Sequence, residues 1–299
     1  MAAPGHERAA SCLAERVVFI LVQPQQPGNV GAVARAMMNM GLRRLTVVDP
    51  PPSFDLERAR WMGPGAGEVL DRMRLVATLD EALDDVHRAI ATTARHRSDG
   101  QRVLEPAGLA SDVFSGPDEL VTGVLFGRED DGLARAATLR CEALLRIPTD
   151  HHASLNLAQA ALLVGSALFD EARRAGLTPA GRIVGGGTGT RSTRSLDARD
   201  ADVLAPLTDV EPAVVELVAL LNRIGYGRGT SPERVGVTLR EALQRAGLSR
   251  RQVGALRGMV GRVEYALDHP DIDWKASRRQ QEALRATRAA PLADDDGVA

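Results

Sequence analysis

A short apolar run followed by a proline- and glycine-rich loop constrains the fold of this chain more than any other stretch. Residues 17–22 are apolar and rich in β-branched side chains, which predicts a buried strand. Proline and glycine at 24–28 break the strand. We expect a helix to start at Asn29, whose side chain would cap it, and to end near Gly41. A second apolar run at 45–48 follows directly. This alternation predicts an α/β fold with a parallel sheet and a ligand at the carboxyl edge of its strands.

Length and composition limit the classes of protein that the chain can belong to. It has 299 residues, of which 44% are hydrophobic and 25% charged, enough for one large or two ordinary domains. No run of eighteen apolar residues occurs, so no membrane span is expected, and the N-terminus lacks the apolar centre of a signal peptide. Cys12 and Cys141 lie far apart without a ligand motif. This pattern argues against a disulfide framework or a zinc site and favours the cytoplasm.

Almost all the positively charged residues are arginines. The formal net charge is −2, Lys275 is the only lysine, and residues 294–296 are acidic. Arginine binds phosphate through a fork of donors, which would suit a nucleic acid. A GC-rich coding bias produces the same preference for arginine. Composition alone therefore does not establish nucleic-acid binding.

Two later stretches also follow predicted strands. Residues 127–133, directly after a strand predicted at 120–126, place charges between two glycines. They form either a polar turn or a loop in which Gly127 lets backbone approach a ligand. Residues 151–156 open a long helix with one mainly apolar face. Ser154 is the predicted N-cap of that helix, and Asn156 is unusual in a first helical turn unless its amide has a role there.

Changes in composition divide the chain into five regions. Residues 177–209 are rich in glycine, serine, threonine and arginine without an apolar period, which predicts a linker. Helical periodicity begins at 210, and Ser231-Pro232 predicts the start of a second helix. Further strands are predicted at 86–92 and 144–147. The expected regions are a flexible N-terminus 1–15, an α/β domain 16–176, a linker 177–209, a helical domain 210–285 and a flexible acidic tail 286–299.

The three stretches together resemble the SpoU branch of the SPOUT class of RNA 2′-O-methyltransferases. The residues that carry the resemblance are Asn29-x-Gly31-x-x-x-Arg35, then Leu125-Phe126-Gly127-x-Glu129-x-x-Gly132-Leu133, then Ile147-Pro148 with Ser154-Leu155-Asn156. A further resemblance is to the TrmJ-type subfamily, which methylates tRNA at nucleotide 32 of the anticodon loop. It rests on Thr92-Thr93-Ala94-Arg95-x-Arg97 and on Leu256-Arg257-Gly258 with Ile224-Gly225-Tyr226. That subfamily often has two serines before the Leu-Asn pair, whereas the first position here is Ala153.

The resemblance implies a fold, a cofactor and partners. The fold is a parallel-sheet SPOUT domain with a C-terminal trefoil knot over about 120–175, followed by a small all-α domain; knots are otherwise nearly absent from proteins. S-adenosylmethionine is the implied methyl donor and tRNA the implied substrate, with no metal and no membrane. A homodimer with the active site across its interface is also implied.

The resemblance further implies roles for individual residues. The implied catalytic residues are Asn29, Arg35, Glu129, Ser154 and Asn156. The implied donor-binding residues are Thr92, Thr93, Ala94, Gly127, Ile147, Ser154 and Leu155, and the implied RNA-binding residues are Arg35, Arg95 and Arg97. A guanidinium keeps its proton under ordinary conditions, so we expect Arg35 to hold phosphate and stabilise a developing oxyanion. Glu129 is expected to fix the motif loops.

Three other functions remain open at this point. The first is a SpoU enzyme that acts on ribosomal RNA or on another tRNA site. The second is a non-catalytic RNA-binding module with a relict cofactor pocket, against which the retained motif residues argue. The third is a nucleotide-cofactor oxidoreductase, which is disfavoured because residues 23–31 lack the G-x-G-x-x-G order.

Overall fold

A computed structural model of the chain describes residues 13–94, 100–151, 153–175, 203–226 and 231–270. Arg95 and Arg97, residues 1–12, residues 177–202 of the predicted linker and the predicted acidic tail lie outside the described residues. The chain divides into two compact units, one that runs to Leu256 and a second that begins at Arg257.

Helices and short strands alternate along the first unit. The elements are α1 (Leu13–Arg16), β1 (Val17–Val22), α2 (Pro27–Asn39), β2 (Arg44–Val48), α3 (Leu56–Met62), α4 (Gly67–Asp71), β3 (Arg74–Val76), α5 (Leu79–Ala82), β4 (Arg88–Thr92), β5 (Arg102–Leu104), α6 (Pro106–Ser115), β6 (Thr122–Phe126), α7 (Arg135–Leu139), β7 (Ala143–Leu145), α8 (Leu157–Arg174), α9 (Leu207–Arg223), α10 (Pro232–Ala246) and α11 (Arg250–Asp268), which continues into the second unit. All five predicted strands are confirmed, with small shifts at their ends. The pattern missed β3, β5 and α7.

The described strands form one parallel sheet in the order β3-β2-β1-β6-β4-β7-β5. The parallel α/β prediction is therefore confirmed. Because the strands are parallel, the loops after β1, β4, β6 and β7 all leave from the same edge of the sheet. The three motif stretches and the residues after β4 thus meet at that edge.

Helices cover both faces of the sheet. On one face α2, α3, α4, α6 and α8 pack into a continuous apolar core, in which the rings of Phe19 and Phe126 lie 4.9 Å apart. On the other face α5, α7 and the first residue of α9 pack against the sheet. A sheet covered in this way needs strands that are apolar on both faces, which is why the runs at 17–22 and 120–126 are nearly continuous.

Helix α2 starts earlier than the sequence predicted. Pro27 occupies its first turn, where a missing N–H costs nothing, and the N-cap is Gln26 without a side-chain hydrogen bond. The prediction of Asn29 as the cap is therefore wrong. Gly41 follows the helix with φ of +74°, as expected for a helix end. Because of the earlier start, Arg35 lies about 12 Å along the axis from the first residue instead of one turn from it.

The cap of α8 also differs from the prediction. Asn156, not Ser154, is the N-cap: its Oδ1 accepts a hydrogen bond from the backbone of Ala158 at 2.9 Å. The side chain of Gln159 accepts from the backbone N–H of Asn156 at 3.3 Å, which completes a capping box. The odd amide in the first turn is thus explained, and the hydroxyl of Ser154 is released from capping.

The start of the helical segment packs on the α/β core. α9 begins at Leu207, so the end of the predicted linker 177–209 is ordered, and its boundary needs correction. The N–H of Leu207 donates to Val86 at 2.9 Å, and its side chain is buried against the sheet. On α10, Gln244 is 3% exposed; it accepts from the backbone of Ala89 at 3.3 Å and donates to the carbonyl of Arg140 at 3.0 Å. α9 and α10 therefore belong to the same compact unit as the sheet.

Helix α10 begins as predicted. Ser231 caps it by accepting a hydrogen bond from the N–H of Arg234, and Pro232 occupies the first helical position. Gly247 ends the helix in the left-handed region, with φ of +58°.

Candidate active site

A cavity of about 330 Å³ opens at the carboxyl edge of β4, β6 and β7. Every residue that the resemblance assigned to the methyl donor lines it: Thr92, Thr93, Ala94, Gly127, Ile147, Ser154 and Leu155. Residues that the resemblance did not assign to the donor line it too, among them Asp130, Asp131, Leu133 and Leu145. The structure thus gathers residues from three separate loops around one cavity, while what they bind stays a prediction.

Glu129 holds the loop after β1 against the loop after β6. One of its oxygens, Oε2, accepts from the backbone N–H of Gln25 at 2.8 Å. The other, Oε1, accepts from the N–H of Gln26 at 3.2 Å and from Nδ2 of Asn29 at 2.8 Å. Both carboxylate oxygens are therefore occupied by donors at the start of α2, where negative charge is also favoured by the helix dipole. This geometry suits a clamp better than a general base.

Asn29 and Asn156 extend this contact to the third motif. Nδ2 of Asn156 donates to Oδ1 of Asn29 at 3.3 Å, while Nδ2 of Asn29 donates to Glu129. Since Oδ1 of Asn156 is held by the N–H of Ala158, the orientation of each amide follows from its neighbours. One chain of hydrogen bonds therefore joins the three motifs, although the first motif is 100 or more positions from the other two in the chain.

Gly127 is required by the loop itself. A Cβ at this position would lie 2.1 Å from the carbonyl carbon of Gly132 and 2.2 Å from the N of Leu133. Close approach of the returning backbone is therefore one reason for a glycine here, and close approach of a ligand stays a prediction. Gly132 has φ of +70° and pairs with Arg128 across the turn. The tight turn is what brings residues 128–133 back to the cavity rim.

An ion pair closes the same loop. Arg128 donates through Nε and Nη2 to the two carboxylate oxygens of Asp130, at 2.9 and 2.7 Å. These hydrogen bonds, with a smaller contribution from the N–H of Asp131, lower the pKa of Asp130 to about 2. Asp130 therefore stays ionised at the cavity rim throughout the working range of an enzyme.

The hydroxyl groups at the cavity differ in availability. Oγ1 of Thr92 donates to the carbonyl of Leu125 at 2.9 Å and so joins β4 to β6. The backbone N–H of Thr93 donates to the carbonyl of Leu145 at 2.9 Å. The side chain of Ser154, by contrast, is exposed at the rim and makes no hydrogen bond within the described residues. Ser154 can therefore meet a ligand without breaking a contact of the fold.

Arg35 lies outside the cavity lining. Its side chain is exposed on α2 and makes no hydrogen bond or ion pair within the described part of the chain. Gly31, four residues earlier on the same helix face, packs against α3, where a Cβ would lie 1.9 Å from the carbonyl oxygen of Ala59. The glycine of the first motif is thus a packing residue, and the arginine is a free cation on the same side of the helix.

One spacing in the sequence indicates where α8 starts. The spacing Asn156-x-x-Gln159 is that of a capping box and would have placed the helix start correctly. The acceptor role of Glu129 towards the backbone of Gln25 and Gln26 carried no such signal.

Comparison with known proteins agrees with this fold. Residues 16–165 match the SpoU rRNA methylase family. A TrmJ tRNA (cytidine/uridine/adenosine-2′-O-)-methyltransferase of Pseudomonas aeruginosa (strain UCBPP-PA14) is 32% identical over 248 residues, which cover 82% of this chain and 93% of that protein. A TrmJ tRNA (cytidine/uridine-2′-O-)-methyltransferase of Photorhabdus laumondii is 31% identical over 252 residues, which cover 84% of this chain and 97% of that protein. The crystal structure of TrmJ from Z. mobilis ZM4 superposes with a TM-score of 0.61 at 28% identity, over 83% of this chain and 98% of that one.

The chain belongs to the SpoU rRNA methylase family, and its enzyme class is that of the RNA methyltransferases. Within that family it is similar to the TrmJ proteins over most of their length. The resemblance seen in the motifs is confirmed. None of the helices in the described residues combines the length and the apolar character that crossing a membrane requires.

Proposed function

We propose that this chain transfers a methyl group from S-adenosylmethionine to a ribose 2′-hydroxyl of tRNA, at nucleotide 32 of the anticodon loop. The observation that carries the proposal is the hydrogen-bond chain Glu129–Asn29–Asn156, which joins the three motifs beside a cavity lined by every residue assigned to the donor. The tRNA 2′-O-methyltransferase activity in the names of the relatives supports the substrate and the reaction. Since tRNA is the substrate, we place the reaction in the cytoplasm.

The residues around the cavity fit S-adenosylmethionine. Leu133, Leu145 and Ile147 offer an apolar wall for a flat purine, and the free hydroxyl of Ser154 can bond a polar group. Ionised Asp130 at the rim suits a ligand that carries positive charge on its sulfonium and ammonium groups. When bound, the donor supplies an electrophilic methyl group.

Residues of this chain and groups of the RNA assist the attack of the 2′-oxygen and the loss of its proton. The 2′-oxygen forms a bond to the methyl carbon as the carbon–sulfur bond breaks, and the hydroxyl proton leaves. Arg35 cannot accept this proton because a guanidinium stays protonated. Free and exposed, it instead holds the neighbouring phosphate and stabilises the negative charge that develops on the 2′-oxygen. A phosphate oxygen or a water molecule takes the proton.

The remaining motif residues orient the site. Glu129 and Asn156 are positioning residues, since their polar atoms are engaged with the loops and helix starts that they hold. Asn29 sits between them and fixes the start of α2, the helix that carries Arg35. Ser154, like Arg35, makes no hydrogen bond within the described residues and is therefore free to touch the reacting groups.

We propose a knot and a dimer as well. β7 lies between β4 and β5 although it follows both in the chain, which suits a trefoil knot over 120–175. Leu162 and Leu163 are exposed on α8, the helix that adjoins α2, and Arg35 stands outside the cavity. These features support a homodimer whose site is completed by the partner, with residues 16–176 as the catalytic domain and the helices after it as an RNA-binding addition.

Mapping of the methylated nucleotide tests the proposal. Purified protein is incubated with bulk tRNA from a strain lacking ribose methylation and with isotopically labelled donor, and the labelled nucleotide is located by mass spectrometry. Label at the 2′-oxygen of nucleotide 32 is expected. Label at another tRNA position or in ribosomal RNA only would refute the substrate assignment, and absence of label from all RNA would refute the activity. Light scattering of the same protein should exceed the 31.9 kDa of one chain.

A further inference from the structure

An exposed aromatic side chain lies on α3, the helix that packs against α2. Trp61 on α3 is 76% exposed, the largest fraction among the large apolar side chains of the described residues, and Met62 beside it is 59% exposed. Arg58 lies three residues before Trp61, on the same side of this short helix. We call Arg58, Trp61 and Met62 the α3 patch.

The α3 patch is held rigidly against the site. Gly31 of α2 and Gly63, which ends α3, touch through their backbones: a Cβ on Gly63 would lie 2.6 Å from the carbonyl oxygen of Gly31. Cγ of Met62 lies 3.2 Å from where a Cβ of Gly28 would be. Since Gly28 precedes Asn29 in the chain, the patch adjoins the hydrogen-bonded motif residues. A tryptophan on a fixed support loses little entropy when it binds.

Two exposed arginines on α2 and α3 have no ion-pair partner within the described residues. Arg58 on α3 and Arg35 on α2 are exposed and make no hydrogen bond or ion pair within the residues that the structure describes. Arg60 differs, because Nη2 donates to Asp71 at 2.6 Å and Nε lies 3.6 Å from Glu57. Arg35 is four residues after Gly31 and therefore lies on the side of α2 on which α3 packs. An exposed indole and unpaired guanidinium groups on two helices that pack together are the chemistry that single-stranded nucleic acid needs.

The alternative occupant, a second copy of this chain, fits less well. Stable interfaces bury about 800 Å² on each partner and exclude charge from their centre. The α3 patch offers two apolar side chains and an unpaired arginine, and a two-fold contact centred on it would bring Arg58 against the same residue of the other copy. RNA instead supplies a phosphate for the arginine and a base for the ring.

We propose that the α3 patch binds the substrate RNA next to the methylated ribose, with Trp61 stacked on an unpaired base and Arg58 on a phosphate. This inference rests on the proposed function and adds two residues to the RNA surface beyond the motif residues. Stacking does not depend on the identity of the base, but it requires a base whose face is exposed. The patch would therefore prefer an unpaired loop to a duplex. Arg58 would add affinity that depends on salt, whereas Trp61 would add affinity that does not.

Binding of bulk tRNA by fluorescence anisotropy across a salt series tests the two roles separately. Trp61→Ala should weaken binding roughly 5- to 150-fold, the range for one stacked base, at an unchanged salt slope. Trp61→Phe should recover most of the affinity because it keeps a stacking ring. Arg58→Ala should lower the slope of log affinity against log salt by about 0.7 to 0.9, the value for one phosphate contact. Arg72→Ala, an exposed arginine paired with Glu68, and Leu75→Ala, an exposed leucine on β3, serve as controls and should bind as wild type.

Three results would overturn the inference. Unchanged tRNA affinity in both Trp61→Ala and Arg58→Ala would show that the patch does not touch RNA. Light scattering could show instead that Trp61→Ala is a monomer and that this change accounts for its loss of tRNA affinity. The patch would then be a contact between two copies of the chain. If the wild-type protein neither binds nor methylates tRNA, the proposed function itself is refuted, and the inference about the patch with it. Each variant should have the wild-type affinity for S-adenosylmethionine in calorimetric titration and the wild-type melting temperature. A loss of tRNA affinity is then due to a lost RNA contact and not to unfolding.

Discussion

Replacement of Glu129 by glutamine tests whether this carboxylate is a clamp or a base. The amide oxygen can keep the place of Oε1 and still accept from the N–H of Gln26 and from Asn29. The new NH₂ then faces the N–H of Gln25, which loses its acceptor at 2.8 Å. One unsatisfied backbone donor costs about 1–3 kcal/mol, and because this site is half-exposed, water will recover part of that. We therefore expect a roughly 5- to 30-fold loss of kcat/KM, at 1.36 kcal/mol per factor of ten.

The assay is steady-state methylation of tRNA as a function of pH. A clamp lowers the rate by the same factor at every pH, since it acts through the position of Asn29 and the loops. Glu129→Ala, which loses all three hydrogen bonds, should be slower still, and Glu119→Gln, an exposed carboxylate before β6, should behave as wild type. Activity within twofold of wild type in Glu129→Gln would refute the clamp. A pH profile that loses its acid limb in Glu129→Gln would identify this residue as the proton acceptor.

Three further outcomes are expected. Arg35→Ala should lower kcat roughly 100- to 1,000-fold, as loss of an oxyanion donor does, and leave calorimetric binding of S-adenosylmethionine intact because Arg35 is not in the cavity lining. Gly127→Ala should weaken donor binding at least tenfold and lower stability by about 1–3 kcal/mol, since its Cβ overlaps the backbone of Gly132. Burial lowers the pKa of His87 below its usual 6.5, so its ring resists protonation in the folded state, and the stability of the wild type should fall as pH drops below about 6.5. His87→Asn, which keeps an acceptor for the N–H of Val121, should lose less stability between pH 7.5 and 5 in thermal unfolding.

Each of these outcomes has a clear contradiction. Loss of donor binding in Arg35→Ala would place the arginine in the cofactor site. Wild-type affinity in Gly127→Ala would show that the loop after β6 does not shape the cavity. If His87→Asn and wild type lose the same stability as the pH falls, groups other than His87 cause the loss of stability in acid.

The strands that the sequence predicted are those with continuous apolar runs. β1 and β6 are covered by helices on both faces, so all their side chains are apolar except that of Thr122, which is buried. The edge strands β3 and β5 escaped prediction because each has three residues, begins with arginine and exposes its middle side chain, Leu75 or Val103. Short edge strands of that composition have the pattern of a loop.

The motif residues could be recognised in sequence, but not their contacts. Asn29 and Ser154 were predicted as helix caps because both stand where a short polar side chain caps the next turn. Instead Asn29 donates to Glu129, whose position in the fold depends on the pairing of β1 with β6. Once Asn156 takes the cap of α8, the hydroxyl of Ser154 is left at the cavity.

The amino-acid sequence by itself determined the α/β class, the parallel strands that form the centre of the sheet, the end of α2 at Gly41 and the three motifs of the site. These features depend on side-chain periodicity and on hydrogen bonds within a few residues. The tertiary structure alone decided why Gly127 must be glycine, how Glu129 joins the motifs and that Gln244 ties α10 to β4. Each of those depends on backbone or polar groups brought in from a distant part of the chain, and a buried polar group shows its partner only after the chain has folded.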